Sequence, residues 1–600
     1  MNQSSAKRLS LTVLVLAAGG VLGQARAADD QAARLQAFNA LLDEQWQYSL
    51  RDTPEFATTI GDYRYNDQLS DLSLAHTEQH RKDDESFLKR FQAVDTSGFA
   101  EQDRLSQELM VKQIQDDLKN IALKNYEMPL DQFNGAHLQL AQLVSVIPFD
   151  SSKHYEDYLV RLHQMPREID QVIEVSRQGL KDGLMQPRYL LEKVAQQAHD
   201  IAAPAGEANA FGQPVAQMPD AVAGADRKRL HDAILAAVDN EVRPAFQKLS
   251  DFVAKDYAPH GRSEFGIWAL PDGDARYRFA IHTQTTTDKD PEAIHQLGLA
   301  EVQRIEGEMS TIAGKLHYKD LPTMRAALKT DPKVHATSRQ QILDLYSHYI
   351  AQMEPKLPEL FGLLPPTRLK VVPVQSYREK EAAAAEYDQG TPDGSRPGMV
   401  YVNTGDYQSR SLLPIEDTAY HEGVPGHHMQ ISIAQTLPGL PPFRQQASYN
   451  AYAEGWALYA ERLGKEVGFY QDPLSDYGRL SGELLRADRL VLDTGVHYKH
   501  WSRDQMVQFF REHSSEDEPD IQAETDRYIA WPAQALAYKL GQMKILELRQ
   551  RARDQLGEKF DIRAFHDEIL NGGALPLDVM ERRVDGWIAA RKAGRSAAGV

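Results

Sequence analysis

The chain has 600 residues, of which 42% are hydrophobic and 26% are charged, with a formal net charge of -19 and no cysteine. This length exceeds what one hydrophobic core usually organises, and the composition is that of a globular protein and not of a disordered one. The acidic charge argues against nucleic acid and anionic membranes as partners, and the lack of cysteine excludes disulfides and thiolate metal ligands.

The N-terminal 27 residues have the pattern of a secretory signal peptide. Lys7 and Arg8 precede an apolar run over residues 9–22, which is followed by the small-residue motif "ARA". The run is shorter than the roughly 20 apolar residues that a membrane-spanning helix needs. We therefore expect residues 1–27 to be removed and the mature protein to be periplasmic or secreted, without insertion in a membrane.

Residues 28–265 are predicted to form an N-terminal helical half. Leu35, Phe38 and Leu42 follow the steps of three and four that indicate one face of a helix. The span 202–224 is rich in Ala, Pro and Gly, which predicts a long connection. A boundary near residue 265 is expected to separate this half from a C-terminal catalytic half, residues 266–600.

Strand signals are few and all lie in the C-terminal half. Residues 276–286, 368–374 and 398–404 are β-branched or aromatic runs. Between them, Asp290 before Pro291 is typical of a helix start, with an N-cap residue followed by proline at the first helical position. These patterns predict a mainly α fold with a small β-sheet.

Residues 421–428, "HEGVPGHH", hold the residue types of a zinc site at an unusual spacing. In H-E-x-x-H the two histidines lie four apart on one face of a helix, but here position 425 is a proline. On a regular helix His427 would point about 120° away from His421, too far to share an ion. Pro425 must break or bulge the helix because its ring collides with the carbonyl of His421, and Gly426 tolerates the resulting backbone. We expect this bulge to bring a second histidine to the zinc ion that His421 holds.

A catalytic zinc usually takes a third protein ligand and leaves one position for water. Glu454, in "YAEGWALYAERL", is predicted to lie on a close-packed buried helix, where a carboxylate is costly unless it is paired or binds metal. Glu461, seven residues later, shares that face and is the alternative ligand. Glu422, next to His421, is the candidate general base, which takes a proton from water and passes it to the leaving amine.

Four segments carry a family resemblance: "YHEGVPGHHMQ", "YAEGWALYAERLG", "RLVLDTGVHYKHWS" and "WPAQALAYKLGQMKILELR". Together they resemble the bacterial family known as domain of unknown function 885, regarded as zinc metallopeptidases. The resemblance implies a two-lobed helical fold with a deep channel, similar to the gluzincin peptidases, in which a glutamate on the following helix completes the zinc site. Glu454 matches that glutamate. Between His427 and His428 as second ligand, the resemblance favours His427, which follows a glycine as the matching histidine does in related peptidases.

Further site residues follow from chemistry and resemblance together. Asp493 and His497 lie four apart on a predicted helix, so the carboxylate could orient an imidazole that donates to the developing oxyanion. Tyr538, in "QALAYKLG", matches a C-terminal tyrosine of the gluzincins and could add a phenolic donor.

These features together predict an exported zinc-dependent peptidase that hydrolyses short peptides. Two alternatives are a catalytically silent peptide-binding protein of the same fold and a zinc hydrolase acting on another amide or ester. The position of cleavage in the substrate and the oligomeric state are left open by the sequence.

Overall fold

The structure is a computed structural model that describes residues 30–375, 379 and 382–594. The predicted signal peptide lies outside the described residues. The fold is mainly α-helical, as predicted, with one small sheet. Its helices are α1 (30–52), α2 (Pro54–Thr59), α3 (Leu74–Gln92), α4 (Glu101–Ala122), α5 (Ala136–Leu143), α6 (Ser152–Asp182), α7 (Arg188–Ala202), α8 (Gly224–Ala237), α9 (Arg243–Phe252), α10 (Gly273–Thr285), α11 (Pro291–Lys315), α12 (Leu321–Leu328), α13 (Arg339–Met353), α14 (Leu357–Leu360), α15 (Ile415–Glu422), α16 (His427–Thr436), α17 (Pro442–Gln445), α18 (Asn450–Glu466), α19 (Pro473–His497), α20 (Arg503–His513), α21 (Glu518–Ala530), α22 (Ala537–Leu556), α23 (Ile562–Leu570) and α24 (Leu577–Lys592).

The sheet has three strands, β1 (Leu369–Pro373), β2 (Ala385–Asp388) and β3 (Gly398–Val402), in the order β1-β3-β2. The central strand β3 pairs in parallel with β1 and antiparallel with β2. Its alternating burial places Val400 and Val402 in the core, which is the pattern of a strand with one buried face. The predicted strands at 368–374 and 398–404 are confirmed.

The predicted strand over residues 276–286 is wrong, because residues 276–285 belong to helix α10 and Thr286 is its C-cap. The buried residues of this helix include Gly273, Tyr277, Ile281 and Thr285, which recur at intervals of four and so share one helical face. The aromatic and β-branched residues that resemble a strand are here packed as a helix. Tertiary packing has overridden an intrinsic β preference that is weak and dependent on context.

Two other local predictions are confirmed. The Asp290 carboxylate accepts a hydrogen bond from the backbone N–H of Glu292 at 2.9 Å, and α11 begins at Pro291. The span 202–224 is a connection between α7 and α8 that contains only two short 3-10 turns.

Two large hydrophobic cores organise the chain. One is built from residues between Leu69 and Ala258, within the predicted N-terminal half. The other combines side chains of α1, α3 and α4 with those of α13, α15, α18 and α22–α24. The first helices of the chain therefore pack against the elements that carry the candidate site, and the division near residue 265 stays a prediction.

Helices α18 and α22 cross at very short range. A Cβ atom on Gly455 would lie 2.5 Å from Cα of Gly541, and one on Gly541 would lie 1.8 Å from the carbonyl oxygen of Ala451. Both glycines are therefore required for the two backbones to approach this closely. The crossing places the first turn of α22, which carries Tyr538, beside the helix that carries Glu454.

Candidate metal centre

The segment "HEGVPGHH" forms two helices and not one bulged helix. α15 ends at Glu422, and α16 begins at His427 after the four residues Gly423 to Gly426. The indole N–H of the fully buried Trp456 donates to the carbonyl oxygen of Pro425 at 2.8 Å and so anchors the break to α18. The expected interruption at Pro425 is present, but it is a full break and not the expected bulge, because the helix ends at Glu422 and restarts at His427.

The break brings His421, His427 and Glu454 together. One ligand atom from each of the three side chains lies within 4.8 Å of the others. His421 Nε2 is 3.4 Å and His427 Nε2 is 3.3 Å from the same oxygen, Glu454 Oε2. The two imidazole rings are perpendicular, with centroids 4.8 Å apart. The three predicted metal ligands thus converge on one point, with His421 buried and the other two partly accessible.

His428 points away from this cluster. Its Nδ1 lies 3.1 Å from the Tyr387 hydroxyl of β2, and its Nε2 lies 3.1 Å from the carbonyl oxygen of Thr367. Burial lowers the pKa of His428 to about 4, which keeps the ring neutral, with one nitrogen donating and the other accepting. Of the two candidates left open by the spacing, only His427 faces His421.

Glu461 contacts the opposite side of the His421 ring. Its Oε1 accepts a hydrogen bond from His421 Nδ1 at 2.8 Å, whereas Glu454 faces Nε2. Glu454 and Glu461 are seven residues apart, about two turns of α18, so both face α15, one on each side of the imidazole. The alternative assignment of Glu461 as a ligand is therefore not supported. Glu461 instead fixes the tautomer that leaves Nε2 of His421 as an acceptor.

Glu422 is buried next to the cluster, with 8% of its surface exposed. Burial raises the pKa of its carboxyl above the usual range, against the lowering effect of His421 and His427. Burial therefore increases the proton affinity of this carboxyl group.

Tyr538 lies beside the cluster, with its ring nearly parallel to that of His421 at a centroid distance of 6.4 Å. Its hydroxyl oxygen accepts hydrogen bonds from Arg527 Nη2 at 3.2 Å and from Gln534 Nε2 at 3.4 Å. Because this oxygen accepts both bonds, its own proton is free to be donated elsewhere.

The predicted pairing of Asp493 with His497 is wrong. The Asp493 carboxylate accepts hydrogen bonds from the Tyr277 hydroxyl at 2.7 Å and from the Ala533 N–H at 2.9 Å. His497 Nδ1 accepts from the Ile267 N–H at 3.0 Å, and its Nε2 donates to a backbone carbonyl oxygen at 2.8 Å. Burial lowers the pKa of His497 to about 3, so the ring is neutral and both nitrogens are engaged. His497 has no nitrogen left to donate to an oxyanion.

Sequence reasoning missed the arginines near Tyr538, which are Arg486, Arg489 and Arg527. Arg489 lies over the Tyr538 ring, with Cζ 4.4 Å from the centroid, and Arg527 donates to the hydroxyl. Arg489 interrupts the apolar stretch of α19, and a buried charge in such a stretch needs a partner. That signal could have singled out Arg489, but the sequence does not indicate which charge pairs with it.

Gly426 is required where the chain turns back on His421. A Cβ atom at this position would lie 2.0 Å from the carbonyl oxygen of His421. We expect Gly426→Ala to lower the free energy of unfolding by about 1–3 kcal/mol, as overpacked sites do, and to weaken metal binding because His421 and His427 are pushed apart. Denaturant unfolding and metal titration measure the two effects. The control is Gly307→Ala, an exposed position within α11 with no atom near the added methyl, where equal or higher stability is expected. Equal stability and metal affinity for both variants would show that the turn is not under this constraint.

Residues 54–584 match the family described as "Bacterial protein of unknown function (DUF885)". The chain belongs to this family. The family predicted from the four sequence segments is thereby confirmed over most of the chain. A search of curated proteins finds no match.

Two solved bacterial structures share the fold of this DUF885 protein. A crystal structure of a candidate lipoprotein from Colwellia psychrerythraea has 30% identity and a TM-score of 0.88, and the match covers 93% of this chain and 99% of that one. A candidate lipoprotein of unknown function from Shewanella oneidensis has 17% identity and a TM-score of 0.66, with coverage of 91% and 99%. PZ peptidase A, solved with an inhibitor, matches at 13% identity and a TM-score of 0.33 over 87% and 96%, too distant to support an argument.

In the part of the chain that the structure describes, no helix combines the length and the apolar character needed to cross a membrane. Both bacterial relatives are described as candidate lipoproteins, whereas this sequence contains no cysteine to which a lipid could be attached.

Proposed function

We propose that this DUF885 protein is a zinc-dependent peptidase that hydrolyses short peptides. The observation that carries the proposal is the convergence of His421 Nε2 and His427 Nε2 on one oxygen of Glu454, with Glu422 buried beside them. Two imidazoles and one carboxylate form the donor set of many catalytic zinc sites.

Two of the three distances between ligand atoms fit zinc. Zinc holds nitrogen and oxygen ligands at about 2.0–2.2 Å, and tetrahedral geometry then separates neighbouring ligand atoms by about 3.3 Å. The separations of 3.4 Å and 3.3 Å between the histidine nitrogens and Glu454 Oε2 agree with this value. Glu454 Oε2 is buried and has no hydrogen-bond partner among the described residues, so the oxygen is close to both rings but is not satisfied by either. A metal ion among the three groups would satisfy it.

The residues around the ligands account for hydrolysis. When bound, zinc would polarise the scissile carbonyl and acidify water. Glu422 takes a proton from the attacking water and passes it to the leaving amine. Burial raises the pKa of its carboxyl group and so increases its affinity for that proton. The Tyr538 hydroxyl donates a hydrogen bond to the developing oxyanion. Glu461 holds the His421 ring in position through Nδ1.

We also propose that the centre lies in a cleft between two lobes, as in the gluzincin peptidases, and that the protein acts in the periplasm or outside the cell. The family resemblance supports the first point, and the predicted N-terminal half contacts the C-terminal half close to Arg527. Gln132 donates to the carbonyl oxygen of Asp526 at 3.1 Å, and Phe133 contacts Trp531 with ring centroids 5.9 Å apart. The signal-peptide pattern of residues 1–27 supports the second point.

Metal analysis and a peptide-library digest test this function. Purified protein is expected to hold one zinc ion per chain and to cleave peptides in the library. A chelator should abolish cleavage and added zinc should restore it, both read by mass spectrometry. Peptides that bind in a zinc-dependent way but stay intact would favour the silent binding protein, and cleavage unaffected by the chelator would exclude the metal mechanism.

A further inference from the structure

A cluster of two arginines lies next to the candidate metal centre. Arg489 is 5% exposed, and its Cζ lies 4.4 Å from the ring centroid of Tyr538, whose ring stacks beside His421. Arg527 donates to the Tyr538 hydroxyl at 3.2 Å. Both guanidinium groups are therefore separated from the metal ligands by a single aromatic side chain.

The carboxylate of Glu524 is paired with both guanidinium groups. Glu524 accepts from Arg489 Nη2 at 2.9 Å and lies 3.2 Å from Arg527 Nη1. Despite its burial, the two arginines lower the pKa of Glu524 to about 2, so it stays ionised. Glu516 also interacts electrostatically with Arg489, and a further arginine, Arg486, has its Cζ 6.0 Å from the Tyr538 ring centroid. Glu524 is the carboxylate that Arg489 and Arg527 share.

The arginines also have hydrogen-bond donors to spare. Arg489 Nη1 and Arg527 Nε are buried and have no partner among the described residues. Buried polar groups are normally satisfied, and an unsatisfied charged donor is costly. A guanidinium is suited to bind a carboxylate, since its planar set of N–H groups matches the two oxygens.

An aromatic pair, the exposed Phe133 and the half-buried Trp531, continues the cluster toward the surface. Phe133, 41% exposed, contacts the Trp531 ring at 5.9 Å, and Arg527 Cζ lies 5.1 Å from the Phe133 ring centroid. The order from the centre outward is metal ligands, Tyr538, Arg527 and then the aromatic pair. An aromatic surface next to a cation is suited to bind a ligand residue in which an apolar side chain is adjacent to a negative charge.

We propose that Arg527 and Arg489 form a subsite for the free C-terminal carboxylate of a peptide substrate, and that Phe133 and Trp531 contact its apolar terminal side chain. This inference rests on the proposed peptidase function and narrows it to cleavage near the carboxyl end of short peptides. The carboxylate takes up the spare guanidinium donors, Arg489 Nη1 and Arg527 Nε.

The probes are N-acetyl-Ala-Ala-Phe as the free acid and as the C-terminal amide. The zinc-loaded parent should cleave the free acid with a kcat/KM about 10- to 100-fold above that of the amide, which is the range for losing a charge-assisted hydrogen bond. In Arg527→Gln this ratio should fall toward one. The matched control is Arg511→Gln, which removes an exposed arginine paired with Glu518, and it should keep the parent ratio. Because each ratio compares two substrates of the same variant, a loss of folded protein does not change it.

Phe133→Ala tests the aromatic part. With the free acids of N-acetyl-Ala-Ala-Phe and N-acetyl-Ala-Ala-Gly, the parent should prefer the phenylalanine peptide, and the variant should lose most of that preference. A parent that cleaves acid and amide equally, or an Arg527→Gln variant that keeps the parent ratio, would overturn the carboxylate subsite. An unchanged side-chain preference in Phe133→Ala would overturn the aromatic contact.

Binding measurements distinguish a failure of the proposed subsite from a failure of the peptidase function on which it rests. If the parent cleaves neither peptide, calorimetry with the zinc-loaded Glu422→Gln protein still compares the two. If the protein binds the acid more tightly than the amide, and if adding Arg527→Gln removes this preference, the subsite is supported although the peptidase function is not. Equal cleavage of the acid and the amide supports the peptidase function and contradicts the subsite.

Discussion

The Glu422→Gln variant is expected to keep its zinc and to lose about 10²–10⁴-fold in kcat for peptide cleavage, the range that general bases contribute. The amide has the same shape as the carboxyl group but cannot take a proton from water. The metal ligands His421, His427 and Glu454 are unchanged, so zinc content should stay at the parent level. Steady-state kinetics and atomic emission on the same sample measure both quantities.

Glu416→Gln is the matched control. Glu416 lies on the same helix as Glu422, but its carboxylate accepts hydrogen bonds from Tyr420, at 3.1 Å, and from Ser475, away from the metal ligands. This variant should cleave peptides at close to the parent rate. If Glu422→Gln cleaved as fast as the parent, another group would have to take the proton. If it lost its zinc, Glu422 would be needed for binding and its assignment as a base would be unsupported.

The ligand cluster could be predicted because its signal is local and chemical. His421 and Glu422 adjoin, and Pro425 prevents the regular helix that would separate His421 from His427. The form of the break could not be predicted. A bulge and a full break both satisfy the steric demand of the proline, and the choice depends on the contact from Trp456, which is distant in sequence.

The incorrect predictions of a strand over residues 276–286 and of an Asp493–His497 pair share a cause. Residues 276–286 carry strand-forming side chains, and Asp493 and His497 have the spacing of partners on one helix face. In each case the outcome was set by other parts of the chain. The carboxylate of Asp493 is used by Tyr277 and Ala533, so the correct helical spacing produced no pair.

Substituting each of the two acids on α18 separates a metal ligand from a supporting residue. We expect Glu454→Gln to retain no zinc after dialysis against a chelator, because one of three protein ligands becomes a neutral amide. Glu461→Gln should keep zinc with an affinity about 10- to 100-fold lower, as is typical when the partner that orients a ligating histidine is changed. Each change is from carboxylate to amide on the same face of one helix, so each variant controls for the other.

The contrast follows from the two sides of one imidazole ring. Glu454 Oε2 lies close to Nε2 of both His421 and His427, whereas Glu461 contacts only Nδ1 of His421. Competition with a chelator of known affinity measures both variants on one scale. Greater loss in Glu461→Gln than in Glu454→Gln would reverse the assignment and place the ion on the Nδ1 side of His421. Equal and small losses would mean that neither acid binds the metal, and the donor set that supports the peptidase function would be incomplete.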